Sequence, residues 1–104
     1  MKEFKGTKGK WSNGTIYGVV ISDQATKRPT YDDKDYESEI EYYGGYLICE
    51  SIPTPEDSIL IAAAPELLEA LQELHDLLEE NEPNWYLVRH HNKAEKAINK
   101  ALGL

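Results

Sequence analysis

Leu60 to Leu78 reads LIAAAPELLEALQELHDLL, and its period marks the C-terminal half of the chain as helical. Leu67, Leu71, Leu74 and Leu78 recur at i, i+4, i+7 and i+11, with Leu68 and Leu77 widening the stripe, which is the spacing of a helix packed on a core. The other face carries Glu66, Glu69, Glu73, Asp76, Glu79 and Glu80. Pro65 has no amide hydrogen to donate and its ring clashes with the carbonyl four residues earlier, so it predicts a break between two helices. The expected pieces are a short helix from Pro55 to about Ala63 and a second from Pro65 to about Glu80. Thr54 suits the N-cap of the first, Pro55 its opening position, and Glu56 and Asp57 the positive end of its dipole.

Working outward toward the C-terminus, a turn at Asn81 to Asn84 leads to a third helix, roughly Trp85 to Leu102, with Gly103 placed to end it. Leu87, His91, Ala94, Ile98 and Ala101 repeat at helical spacing, while Arg89, Lys93, Lys96 and Lys100 supply positive charge. An acidic helix followed by a basic one predicts an antiparallel helical hairpin.

Toward the N-terminus, the residues from Lys10 to Ser51 read as β structure. Thr15 to Ser22 (TIYGVVIS) is rich in β-branched residues with apolar side chains on both faces, the pattern of a central strand. Glu37 to Tyr43 and Tyr46 to Ser51 flank Gly44 and Gly45, whose tolerance of positive φ suits a two-residue hairpin turn. That register sets Tyr43 against Tyr46 and Glu39 against Glu50, and gives Ile40, Tyr42, Leu47 and Cys49 to the core. The polar stretch Asp23 to Asp35 between these segments has neither period, so it reads as a mobile or binding loop. The predicted fold is α+β: a small antiparallel sheet of about three strands, packed against a C-terminal helical hairpin preceded by a short helix.

A chain of 104 residues is the size of one domain, and 1–104 is read as such, with 1–10 a basic tail, 11–52 the β half and 54–103 the helical half. The net charge of −8 disfavours direct nucleic-acid binding and favours basic partners. The exception is the N-terminal cluster Lys2, Lys5, Lys8 and Lys10, read as a solvated tail. A lone cysteine, Cys49, and the lack of a signal-like apolar run predict a reducing, cytoplasmic setting, and no segment has the length of apolar sequence that a membrane span needs.

No catalytic constellation stands out. Gly6, Gly9 and Lys10 lack the spacing and the following hydroxyl of a phosphate loop. Asp32, Asp33, Asp35 and Glu37 lack the glycine and terminal glutamate of an EF-hand. His90 and His91 are neighbours that diverge by about 100° on a helix. His75 on the preceding helix can approach one of them, but without a cysteine or a paired histidine motif the reading is no metal, no cofactor and no enzyme. Cys49, on the inferred core face, reads as packing rather than nucleophile.

Two segments carry a resemblance. FKGTKGKW (Phe4 to Trp11) and LIAAAPELLEAL (Leu60 to Leu71) together resemble small proteins encoded by bacteriophages and prophages. The resemblance implies a phage protein at work in the bacterial cell and specifies no activity. Combined with the acidic charge, it leads to the expectation of a non-enzymatic accessory protein that binds a host factor, such as a basic, nucleic-acid-handling protein of an antiviral defence system. Its contact residues would be Tyr31, Tyr36, Tyr43, Tyr46, Glu39, Glu41 and Glu50, since tyrosine joins a large apolar area to a polar tip. One alternative is an oligomer that sequesters a nucleotide immune signal on Lys8, Lys10, Lys27, Arg28 or Arg89; another is a self-associating structural module.

Overall fold

The computed structural model describes residues 3–104, so Lys2 of the expected tail lies outside the described residues. The chain is α+β, in the order β1 (Trp11–Asn13), β2 (Val20–Ser22), α1 (Asp33–Tyr43), β3 (Tyr46–Cys49), α2 (Pro55–Asn81) and α3 (Val88–Leu102). The described residues divide into two compact units, one of Gly6–Pro65 and one of Glu66–Leu104 with residues 3–5. Each has its own construction.

In the Gly6–Pro65 unit the three strands form one antiparallel sheet in the order β1-β2-β3. Ser12 pairs with Ile21 across β1 and β2, while Val20 pairs with Cys49 and Ile21 with Leu47 across β2 and β3. β3 therefore spends one extra residue, Ile48, where β2 advances by one, which is a bulge. The central strand is shorter than its β-branched run predicts. Thr15 to Val19 is used instead in a turn, closed by Gly14 N donating to Val19 O at 3.0 Å. Gly18 takes φ of 73° there, and a Cβ on it would lie 2.6 Å from the Ile52 carbonyl oxygen. Val19, Val20 and Ile52 are buried beside this turn.

The expected Gly44-Gly45 hairpin is replaced by a helix. Asp32 and Asp35 form a reciprocal capping box, each side chain accepting from the other's amide at 2.9 and 3.0 Å. Gly44, at φ of 88°, returns its amide to Ile40 O at 2.8 Å and so ends the helix rather than turning a hairpin. Residues 36, 39 and 43 fall at helical spacing, and Tyr36, Glu39 and Tyr43 are the ones drawn inward, while Ile40 and Tyr42, assigned above to the core, are exposed. α1 packs on β3. Residues 7–10, expected within a tail, are tied to the sheet. Ser22 Oγ donates to Lys8 O at 2.7 Å, Lys10 N donates to Asp23 Oδ1 at 2.9 Å and Trp11 Nε1 donates to Thr7 O at 3.2 Å.

Pro65 does not end a helix, because α2 continues through it. The proline deletes one amide donor, and the alanines before it and the leucines and glutamate after it are strong helix formers that carry the remaining bonds. What falls at Pro65 is the division between the two units. In the Glu66–Leu104 unit, α2 is also rotated from the leucine-stripe expectation. Gln72 and His75 are buried and Leu68, Leu71 and Leu78 half-buried, whereas Leu67, Leu74 and Leu77 are exposed. α2 closes at Glu82, whose amide donates to Leu78 O at 2.9 Å with φ of 42°. α3 begins at Val88, later than predicted, and ends as expected at Gly103 in the left-handed conformation. Leu78, Glu79 and Glu82 line one cleft with Val88 and His91, and the earlier Gln72 and His75 line another with the later Ile98 and Asn99, so α2 and α3 run antiparallel. Among the described residues, no helix is long and apolar enough to cross a membrane.

Candidate functional site

The residues expected to meet a partner separate into two groups. The first surrounds Arg28. Its Nη1 donates to Glu39 Oε1 at 2.5 Å and its Nη2 to the Leu47 carbonyl at 2.7 Å, which joins the loop to α1 and β3 at once. The guanidinium lies over the Tyr31 ring at 4.5 Å. Tyr36 packs edge-on against both Tyr31 and Tyr46, with centroids 5.0 and 5.6 Å apart, and its hydroxyl accepts from Arg28 N at 3.2 Å while donating to the Thr26 carbonyl. The stretch from Thr26 to Tyr31 is thereby pinned. Glu39, expected opposite Glu50 on an open sheet face, is a buried ion-pair partner instead.

The second group lies on the exposed side of α1 and at its C-terminal end, where Tyr43 is half-buried. Asp32, Asp33, Asp35, Glu37 and Glu41 are exposed along α1 with Lys34 as its one base, and Tyr42 is 63% exposed beside them. Tyr43 Oη donates to Glu50 Oε2 at 2.6 Å, and its ring meets Tyr42 edge-on at 4.7 Å. The hydrogen bond to the Glu50 carboxylate, aided by desolvation and neighbouring charge, pushes the Tyr43 phenol up to about 12. Thr15 binds the end of the helix, its amide donating to Tyr43 O at 3.0 Å. Tyr42 was missed as a contact candidate because the strand register gave it to the core.

Of the residues considered for an anion, Lys8, Lys10 and Lys27 are exposed, and so is Arg89 on α3. Arg28 differs, since both of its Nη atoms are engaged by Glu39 and Leu47.

A third constellation lies in the Glu66–Leu104 unit. His75 and Glu79, one turn apart on α2, meet His91 from α3. Glu79 Oε2 lies 3.4 Å from His75 Nε2 and 3.0 Å from His91 Nε2. The two imidazoles are 4.6 Å apart between centroids. His75 Nδ1 is 3.3 Å from the Tyr86 hydroxyl, and His91 Nδ1 is 3.9 Å from Glu95 Oε2. The hydrogen bond from His91 lowers the Glu79 carboxyl, and the same bond raises the His91 imidazole against the opposing pull of desolvation. One donor atom from each of the three residues falls within 4.8 Å of the others. His91 is the one of the two adjacent histidines that His75 approaches, and the i, i+4 spacing of His75 and Glu79 is the sequence signal for the third member.

A family model described as Salmonella phage P22 protein Y8K6 matches residues 1–104. The chain belongs to this phage protein family. No curated protein and no solved structure matches it. For this family member, the FKGTKGKW segment has a structural account in its bonds to Ser22 and Asp23, and the LIAAAPELLEAL segment in the helix that runs through Pro65.

Proposed function

We propose that the protein is a non-enzymatic phage accessory protein that binds a basic host protein through the outer face of α1, and that the bound host factor belongs to an antiviral defence system. The observation that carries this is the helix itself: five exposed carboxylates and the exposed Tyr42 on an element capped at both ends. A capped helix presents its charges in fixed positions, so little ordering is needed on binding. Complementary charge steers encounter with a cationic surface, and an exposed tyrosine next to it supplies contact area. Glu41, Tyr43 and Glu50 remain contact residues in this reading, with Tyr42 added; Tyr31, Tyr36, Tyr46 and Glu39 support the helix from behind.

The test is site-specific photocrosslinking in bacterial cells with a benzophenone amino acid at position 42, and mass spectrometry of the adducts. The expected result is a discrete adduct with a basic, nucleic-acid-handling protein, lost when Glu37→Lys and Glu41→Lys are combined. An adduct pattern indifferent to that charge reversal defeats the proposal.

The exposed Leu67 and Leu74 favour a second reading, self-association. They stand seven residues apart on α2, the heptad spacing of a coiled-coil seam. Light scattering decides it: a monomer at high protein concentration removes this reading and leaves the first intact.

A further inference from the structure

We propose that His75, Glu79 and His91 form a binding site for one zinc ion, with the fourth coordination position left to water. The proposal concerns the Glu66–Leu104 unit and does not rest on the acidic face of α1.

Four-coordinate zinc takes histidine nitrogen and carboxylate oxygen at about 2.0–2.2 Å, so neighbouring ligand atoms stand about 3.3–3.5 Å apart in a tetrahedron. The His75 Nε2 to Glu79 Oε2 edge is 3.4 Å and the His91 Nε2 to Glu79 Oε2 edge is 3.0 Å. Of the three edges, one already has the tetrahedral length, the second lengthens by a few tenths of an ångström, and the third, His75 to His91, lies within 4.8 Å and shortens to that range by side-chain rotation. Glu79 is exposed and His91 only half-buried, so nothing prevents that adjustment. His75, in contrast, is buried and held in place.

The groups behind the ligands strengthen the assignment. A zinc-bound imidazole uses one nitrogen for the metal and hands the other to an outer oxygen, which sets its orientation. Both imidazoles here direct Nε2 to the shared point. The Nδ1 of His75 is within hydrogen-bond distance of the Tyr86 hydroxyl at 3.3 Å, and that of His91 has the Glu95 carboxylate nearby at 3.9 Å, beyond a direct hydrogen bond. On binding, zinc takes the place of the hydrogen that His91 Nε2 otherwise donates to Glu79; with the hydrogen on Nδ1 of each ring, both Nε2 lone pairs meet the metal together with a Glu79 lone pair. Two nitrogens and one carboxylate oxygen are a ligand set that zinc accepts, and three protein ligands leave one position open. Gln72, Asp76, Glu95 and Asn99 line the adjoining cleft of about 310 Å³, which admits water, and whose carboxylates disfavour an anionic fourth ligand. Bound this way, zinc joins α2 to α3 through a joint that the protein alone closes with hydrogen bonds.

The experiment uses the full chain, stripped with a chelator and titrated with zinc chloride by calorimetry, with thermal melts recorded alongside. The expected result is one zinc per chain and a rise in Tm of about 4 °C or more when zinc is in large excess over its dissociation constant. Glu79→Gln and His91→Gln each abolish both effects, whereas His90→Gln, at the adjacent histidine, leaves them unchanged. Both test positions are accessible to solvent, and reading them separately keeps the test valid if one variant folds poorly. In nuclear magnetic resonance spectra, the ring nitrogens of His75 and His91 shift on zinc addition while those of His90 do not. No stoichiometric binding, or binding that survives His91→Gln and Glu79→Gln, overturns the proposal.

Discussion

The Arg28 cluster and the His75 cluster are built from similar materials and end in opposite states. Each joins a carboxylate to cationic or basic nitrogens on a different element. The Glu39 side chain is 3% exposed and Arg28 meets it with a directed hydrogen bond, while a second Arg28 donor is matched to the Leu47 carbonyl. The Glu79 side chain is 60% exposed, and one of its oxygens is shared between two imidazoles. Arginine has only donors, so pairing it completes its chemistry. Neutral imidazole retains an acceptor lone pair, so two of them around one carboxylate oxygen leave coordinating capacity in place. The first cluster is therefore a structural joint and the second has capacity for a ligand.

Glu39→Gln tests the joint most severely. The substitution removes the charge that balances Arg28, and an amide nitrogen would occupy the place of Oε2, a buried atom with no hydrogen-bond partner among the described residues. A loss of about 3 kcal/mol in urea unfolding is expected. An unchanged midpoint would mean that Arg28 does not need Glu39 and that the contrast with Glu79 is false. Tyr36→Phe comes next. It deletes the hydroxyl that holds Arg28 N and the Thr26 carbonyl, and the expected cost is about 1–2 kcal/mol, with faster amide exchange confined to the 26–31 stretch.

These clusters also explain where the sequence was legible. The C-terminal helices could be read because leucine, alanine and charge recur at helical spacing, and Gly103 sits where a helix stops. α1 was hidden by its tyrosines, which favour strands, and by two glycines that suit a hairpin as well as a helix end. Its true signals were Asp32 and Asp35 at capping-box spacing and the inward set Tyr36, Glu39 and Tyr43. The Arg28 joint could not be foreseen once α1 was read as a strand. The histidine site depended on the rotation of α2, which buries His75 and exposes Leu67 and Leu74; a stripe of leucines on both sides of a helix does not specify which edge faces inward. The turn after Asn81 was legible, but which of the adjacent His90 and His91 it delivers to His75 was not, because that depends on the rotation of α3.

Tyr43 and Glu50 stand between the two extremes, a directed bond on an open face. The Tyr43 phenol is raised to about 12 from an ordinary 10.0, because ionisation would give up the hydrogen bond to Glu50, with desolvation and the neighbouring negative charge adding to the shift. A raised folded-state value means that the contribution is fully present below pH 10 and is lost as pH rises through about 12. Ring-carbon resonance titration is expected to show Tyr43 as a late-ionising tyrosine, moving back toward 10 in Glu50→Gln. A Tyr43 midpoint that ignores Glu50→Gln would show that the bond does not persist in solution.

Glu79→Gln, measured without metal, is the smallest effect and the sharpest use of the comparison, because it is the same chemical change as Glu39→Gln. Here the side chain is exposed, its hydrogen bonds to histidine compete with water, and the amide oxygen can still accept from His91. No resolvable change in the urea midpoint is expected at neutral pH. The variant therefore separates a carboxylate that holds the fold from one that is free to serve a ligand. A large loss of stability at Glu79 would place it with Glu39 as a structural partner and remove the reason for treating the two clusters as different in kind.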